Sequence, residues 1–290
     1  WENFFNQTGR REQLVARYLF EHLFVAHIHF PTINGSSFYE LVRSSTPPGE
    51  PVVPLRTVRP NDAPEQAFYY RLRPLRETLV EKTHITYGLD DQRMQRWQQL
   101  FLGDDWDLAV LPGYGYSERA NPFATFISIP AKARYEFMLD TAEYFVRTFI
   151  RGPVCRGQVA TDVIRDHFWA IFEDPAQEAY VNNPLYRSQT TPLLGLPGQD
   201  SDLLDLGSAW LKYSSKRNQY LQLRHQHYGQ RKTGGATLDE LWDGDGYNQD
   251  ALLTIFRHHD SASVRKGLWG KVPDTIWVMD YPLLERTYYE

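Results

Sequence analysis

The chain has 290 residues, enough for one large or two modest domains with a sizeable core. Its formal net charge of -5 offers no basic field for a nucleic-acid partner, and its one cysteine, Cys155, excludes an internal disulfide and a Cys-x-x-Cys-His haem attachment within these residues. No apolar run reaches the roughly 18 residues of a membrane span, and no signal-peptide pattern is present.

Leu14, Val15, Tyr18, Leu19, Leu23 and Ala26 recur at helical spacing and predict a core helix over 10–27. His22, His27 and His29 gather at its end, with Pro31 stopping the helix nearby. Imidazoles in such a group bind a metal or supply a haem axial ligand; core or cap histidines are the alternative. Asn34-Gly35 is a turn signal, and residues 38–43 read as extended. The proline-rich stretch 44–64 is loop or edge structure, and the aromatic, alternating stretch 67–75 predicts a strand ending at Pro74. Residues 90–102 predict a short helix capped by Asp90 or Asp91. The loop LPGYGYSER lacks the spacing and flanking elements of a dinucleotide fingerprint.

Helical spacing returns over 135–150, and Gly152-Pro153 then breaks it in a way that suits the start of a second helix, expected over 153–172. On that helix Cys155, Gln158, Asp162, Arg165 and Trp169 share a face, so a thiol, an amide and a carboxylate come together. Arg151 and Arg156 flank the break near helix N-terminal amides, a place suited to a phosphate. A small buried cysteine, with the arginines paired to Asp162 and Asp166, is the plainer reading. The irregular stretch 175–200 has the length of a lid or binding segment. A helix is expected over 201–228, with Lys212, Lys216, Arg217 and Arg224 on a solvated face, followed by a glycine-rich linker at 229–246. Residues 251–257 and 275–279 predict strands. His258, His259 and Asp260, with Ser261 and Ser263, lie between them as proton carriers at a strand end or as a hydrogen-bonded turn.

These elements make an α+β fold, rich in helices, with a small mostly antiparallel sheet drawn from 38–43, 67–75, 251–257 and 275–279. The expected organisation is one domain over 1–290, with 229–246 as its point of subdivision.

Long segments in one order, ARYLFEHLFVAHIHF, FYYRLRPLRETLVEKTH, AKARYEFMLDTAEYFVRTFI, RGPVCRGQVATDVIRDHFW, TIFRHHDSASVRKGLWG and WVMDYPLLER, resemble the bacterial fatty acid cis/trans isomerase family. The resemblance implies a periplasmic enzyme that converts cis double bonds of membrane phospholipid acyl chains to trans without moving the bond. Its partners are then acyl chains at a peripheral membrane surface, and the pattern sets no oligomeric state. The resemblance also implies a c-type haem attached near the N-terminus, and this chain has no attachment motif for one; a fragment or an atypical member is expected.

Isomerisation requires transient loss of double-bond character, which a ferric haem supplies by withdrawing an electron and a Cys155 thiolate or thiyl by reversible addition. The candidate catalytic residues are therefore Cys155, His258, His259 and Asp260; the candidate substrate contacts are Arg151, Arg156, Gln158 and Trp169; the candidate haem ligands are His22, His27 and His29. Two other classes compete. One is a non-catalytic lipid-binding or partner-docking domain that uses the abundant aromatic residues. The other is a cysteine-dependent acyl hydrolase, whose base would be His258 or His22, since His167 lies about 18 Å from Cys155 along a single helix.

Overall fold

Phe4 and Phe5 bury the short helix α1 (Glu2–Phe5), and the apolar spacing of the next segment buries Leu14, Val15, Tyr18, Leu19 and Leu23 along helix α2 (Arg10–Leu23). The computed structural model describes residues 1–33, 37–80, 84–151, 166–195, 206–231, 240–242, 244, 252–258, 261–267, 269, 277–279 and 287–289. It divides into two compact units, 1–119 with 125–130 and 120–124 with 131–290. Residues 232–239, within the expected linker, lie outside the described residues.

In the first unit α2 stops at Leu23, four residues short of the helix expected over 10–27, and the Ala26 N–H closes the turn onto the Leu23 carbonyl at 2.9 Å. Strand β1 (His27–His29) follows. Its alternation buries Ile28 and turns both imidazoles to the opposite face, and ladder bonds replace the helical ones: His27 N–H donates to Ile85 O and Leu89 N–H to His29 O, each at 2.9 Å. Strands β2 (Tyr39–Ser44), β3 (Tyr69–Pro74) and β4 (Thr86–Gly88) complete a sheet of order β3-β2-β1-β4. The β2–β3 ladder runs antiparallel from Tyr39↔Pro74 to Ser44↔Tyr69, and β1 is antiparallel to β2 and parallel to β4. Helix α3 (Asp91–Leu102) begins at the expected cap, where the Asp90 carboxylate accepts from the Arg93 N–H at 2.8 Å, and it buries Trp97 and Phe101. A single turn, α4 (Tyr116–Arg119), ends the long loop, and another, α5 (Pro122–Thr125), lies at the boundary of the units.

In the second unit the helix expected over 135–150 is two, α6 (Ala131–Asp140) and α7 (Ala142–Arg151), with Thr141 between them. Residues 166–172, expected to end a helix, instead form strand β5 (Asp166–Phe172). The run His167-Phe168-Trp169-Ala170-Ile171-Phe172 is aromatic and β-branched, which suits a pleated, half-buried surface better than a helix. Short helices α8 (Ala179–Asn182) and α9 (Pro184–Thr190) lead to the long α10 (Leu206–Arg231). Strands β6 (Leu253–His258), β7 (Ser261–Lys266), β8 (Trp277–Met279) and β9 (Thr287–Tyr289) join β5 in the order β7-β6-β5-β9-β8, every pairing antiparallel. The single expected sheet is thus two, each taking two of the four predicted segments.

One core cluster of this unit gathers Phe123, Tyr180, Tyr186, Leu194, Tyr220 and Tyr228. Lys212, Lys216 and Arg217 are exposed as expected, but Arg224 is buried, its guanidinium 5.4 Å from the Tyr228 ring centre. The class is α+β, and among the described residues no helix is long and apolar enough to cross a membrane.

Candidate functional site

Within the first unit, α1, α2, the segment entering β3 and the loop before α4 enclose a cleft of about 570 Å³, inside the roughly 300–1,000 Å³ of small-ligand sites. Phe5, Leu14, Phe68, Tyr70, Leu111 and Tyr114 give it apolar walls, and Arg17 lines it as well. Arg17 falls on the apolar stripe of α2 and is 4 % exposed, so its charge needs partners that the protein itself provides. Nε donates to Glu21 Oε1 at 2.8 Å, one helical turn away, and Nη1 donates to the carbonyls of Pro112 and Gly113 at 2.9 and 2.8 Å. The guanidinium also lies 3.9 Å from the Tyr114 ring centre. Nη2 is buried without a protein acceptor, a condition that costs about 1–3 kcal/mol for such a group.

The loop carrying Tyr114 is held by Glu118, whose carboxylate accepts from the Gly113 and Gly115 N–H groups at 2.8 and 3.2 Å. Arg43, on β2 and 2 % exposed, donates to Asp62 O and Thr57 Oγ1 at 2.8 Å and packs its guanidinium near Phe20, Phe68 and Tyr114. Glu21 is held above the usual carboxylate range, by burial first, against the opposing hydrogen bond and charge of Arg17 and the charge of Arg43. Burial likewise pushes the Tyr70 phenol well above its usual range, so it remains a neutral group beside Tyr114.

Of the three sequence-predicted histidines, His22 stands apart, while His27 and His29 share one face of β1. His22 donates from Nδ1 to the Tyr18 carbonyl at 2.7 Å and packs against the rings of Tyr18 and Phe126. His27 and His29 lie at alternate positions of β1, and His27 Nδ1 is 2.7 Å from His84 Nδ1, a contact in which one ring donates and the other accepts. Phe38 stands edge-on to His84 and borders His29. None of the three lines the cleft, and among the described residues no group of three His, Cys, Asp or Glu side chains is placed to hold a metal ion.

Of the candidates in the second unit, Cys155, Arg156, Gln158, His259 and Asp260 lie outside the described residues. Arg151 closes α7. Trp169 sits in β5 opposite Thr254 and donates from Nε1 to Trp269 O at 3.0 Å, so the helical face predicted from Cys155 onward does not extend to it. His258 ends β6, paired with Ser261, one residue beyond the Asp166↔Arg257 pair. The register therefore brings the His258 backbone beside the Asp166 end of β5. Sequence reasoning missed the cleft. The available signal was an arginine on an apolar helical stripe with a carboxylate four residues on.

The sequence model of fatty acid cis/trans isomerases matches residues 1–290. The chain belongs to the fatty acid cis/trans isomerase family. No curated protein and no solved structure matches it.

A second buried polar cluster of this isomerase-family chain lies in the second unit. Glu173 and Glu178 are 2 % and 1 % exposed, and Tyr228 Oη stands 3.1 Å from Glu173 Oε2 and 3.2 Å from Glu178 Oε1 while accepting from the Ala179 N–H at 3.2 Å. Glu178 also accepts from the Tyr180 N–H at 3.0 Å. Beside it, His227 packs on Tyr186 and accepts at Nε2 from Arg231 Nη1 at 3.3 Å. Burial, then the Arg231 charge, holds His227 below the usual imidazole range, with Glu178 opposing. A depressed imidazole favours the neutral ring in the folded state. Its contribution is therefore complete above the unfolded value and lost as pH falls through that value toward the folded one. Arg231→Ala is expected to move the His227 titration upward, followed by NMR of the ring protons; an unmoved titration would show that the guanidinium does not act on the ring.

Proposed function

We propose that the chain binds cis-unsaturated acyl chains of membrane phospholipids and takes part in converting their cis double bonds to trans without shifting the bond, at a periplasmic membrane surface. The family match over residues 1–290 carries this reading. The aromatic cleft supports it, because an acyl chain needs a long apolar contact surface away from water. Arg151 and Arg156 are the cations proposed to meet lipid phosphate, with Gln158 and Trp169 as further contacts. His258, His259 and Asp260 are proposed as proton carriers.

The reaction leaves atoms and electrons unchanged. A group that adds to one alkene carbon, permits rotation about the resulting single bond and leaves again satisfies it, and Cys155 is the one thiol in the sequence. A c-type haem, which the family resemblance implies, would supply electron withdrawal when bound. In the test, the purified chain is incubated with vesicles of a cis-monounsaturated phospholipid and the acyl methyl esters are resolved by gas chromatography. Trans product is expected, falling to background in Cys155→Ser. Release of free acid would instead favour a cysteine-dependent hydrolase, and vesicle binding without trans product a lipid-binding domain.

A further inference from the structure

We propose that the face of the second unit's sheet opposite its core, where Trp269 stands exposed over Thr254 beside Arg265, docks on the headgroup region of an anionic phospholipid surface. This rests on the membrane-substrate reading and adds to it the face by which the chain meets the bilayer.

Strand alternation gives that sheet two unlike faces. On one, Ala170, Phe172, Leu253, Ile255 and Val264 are buried and make the core side. On the other, Trp169 lies opposite Thr254 and Thr254 opposite Arg265, with Ile171 and Phe256 at alternate positions of their strands. Trp169, Ile171 and Phe256 are only half-buried, and Arg265 is exposed. Thr254 alone is sealed there, at 0 % exposure, under the chain that folds back beyond β7.

That fold-back holds one ring outward. Gly267 takes φ +84°, a left-handed conformation that glycine adopts without strain. Its N–H donates to Leu252 O at 2.6 Å, while Thr254 Oγ1 donates to the Gly267 carbonyl at 2.7 Å and accepts from the Trp269 N–H at 2.8 Å. The Trp269 carbonyl accepts from Trp169 Nε1 at 3.0 Å, and its own indole Nε1 donates to Lys266 O at 2.7 Å. The ring, 54 % exposed, is thus fixed with its one polar atom already answered, so the surface it turns outward is hydrocarbon.

A fixed indole beside a cation suits the headgroup level of a bilayer, where the ring enters the apolar boundary and the guanidinium stays at the phosphates. Among the described residues no carboxylate pairs with Arg265, and exposed Lys266 follows it. The chain as a whole carries a formal charge of -5 and is repelled by an anionic surface, so contact depends on a local cationic face. A protein partner fits less well. A stable interface takes about 20–30 residues a side, and the apolar centre among the described residues is Trp169, Ile171, Phe256 and Trp269.

The test sediments the full chain with vesicles of phosphatidylcholine alone and of equal parts phosphatidylcholine and phosphatidylglycerol. Trp269→Ala, which keeps every backbone bond of the fold-back, should weaken binding to both about 10-fold with the thermal midpoint unchanged. Arg265→Gln should weaken binding to the mixed vesicles about fivefold, an effect that added salt reproduces in the wild type, and leave phosphatidylcholine binding unchanged. Brominated acyl chains should quench the wild-type tryptophan fluorescence, and Trp269→Phe should lose most of that quenching; this readout serves if Trp269→Ala fails to fold. Binding unchanged in both Trp269→Ala and Arg265→Gln would overturn the docking face. A dimer in sedimentation velocity that Trp269→Ala abolishes would overturn it too, by giving the face to a second copy. Trans product keeps the two readings apart: product from vesicles with Trp269→Ala binding unchanged removes the face and leaves isomerisation standing, whereas Trp269-dependent binding without product removes isomerisation and leaves the face.

Discussion

Trp97→Ala is expected to lower the unfolding free energy of the first unit by about 3–5 kcal/mol, the usual cost of removing a large buried aromatic. Trp97 is 0 % exposed and sits where the start of the chain meets α3. Its ring meets Trp1 edge-on at 5.3 Å, Phe4 at 6.1 Å and Phe5 at 6.3 Å, and lies stacked at 6.3 Å from Tyr87. Alanine would open a cavity against four rings that do not fill it by small rotations. The effect also reaches the cleft, because Phe5 is one of its walls and lies 6.2 Å from Tyr70, another. Chemical denaturation and oleate titration on the same variant should therefore both respond, with Trp97→Phe intermediate. A loss of less than about 1 kcal/mol would mean that the aromatic cluster collapses to fill the gap and does not anchor this wall.

That cluster is also where the sequence was most readable. The spacing of Leu14, Tyr18, Leu19 and Leu23 predicts α2, and Asp90 ahead of an amphipathic run predicts α3 with its cap, because both signals are local and repeat over several turns. β2 and β3 are legible for the same reason, through alternation. Three-residue β1 is not: His27-Ile28-His29 continues the apolar character of α2, and only ladder bonds with the distant 85–89 segment make it a strand. At β5 the Gly152-Pro153 break suggests a helix start by composition, and cross-strand pairing with Leu253–Arg257, Thr287 and Tyr288 decides residues 166–172 against a helix. The cleft was the least accessible. Phe5, Arg17, Phe68 and Tyr114 come from four separated stretches, and nothing local to any of them says that they meet. The candidates chosen from the sequence were dense in polar residues. Arg17 instead stands out through its burial and an Nη2 without a protein acceptor.

Tyr228→Phe is expected to destabilise the second unit by about 1–3 kcal/mol, toward the upper end because the acceptors it abandons are carboxylates. The phenol has one proton and two buried acceptors, Glu173 Oε2 at 3.1 Å and Glu178 Oε1 at 3.2 Å, so it donates to one at a time and shields each carboxylate from the other. It also accepts from the Ala179 N–H, tying the start of α8 to α10. Phenylalanine keeps the packing with Tyr220 and Tyr186 in the surrounding core and removes only the oxygen, which makes the measured loss a polar one. The consequence is two facing carboxylates with one fewer donor between them. Glu178→Gln should then recover part of the loss in the double variant, because it removes one of the two carboxylates left by the phenol while its amide oxygen can still accept from the Tyr180 N–H. Thermal unfolding of the wild type, the two single variants and the double variant closes the cycle. If the two single losses simply add, the carboxylates do not share the Tyr228 proton, and the cluster is three independent contacts.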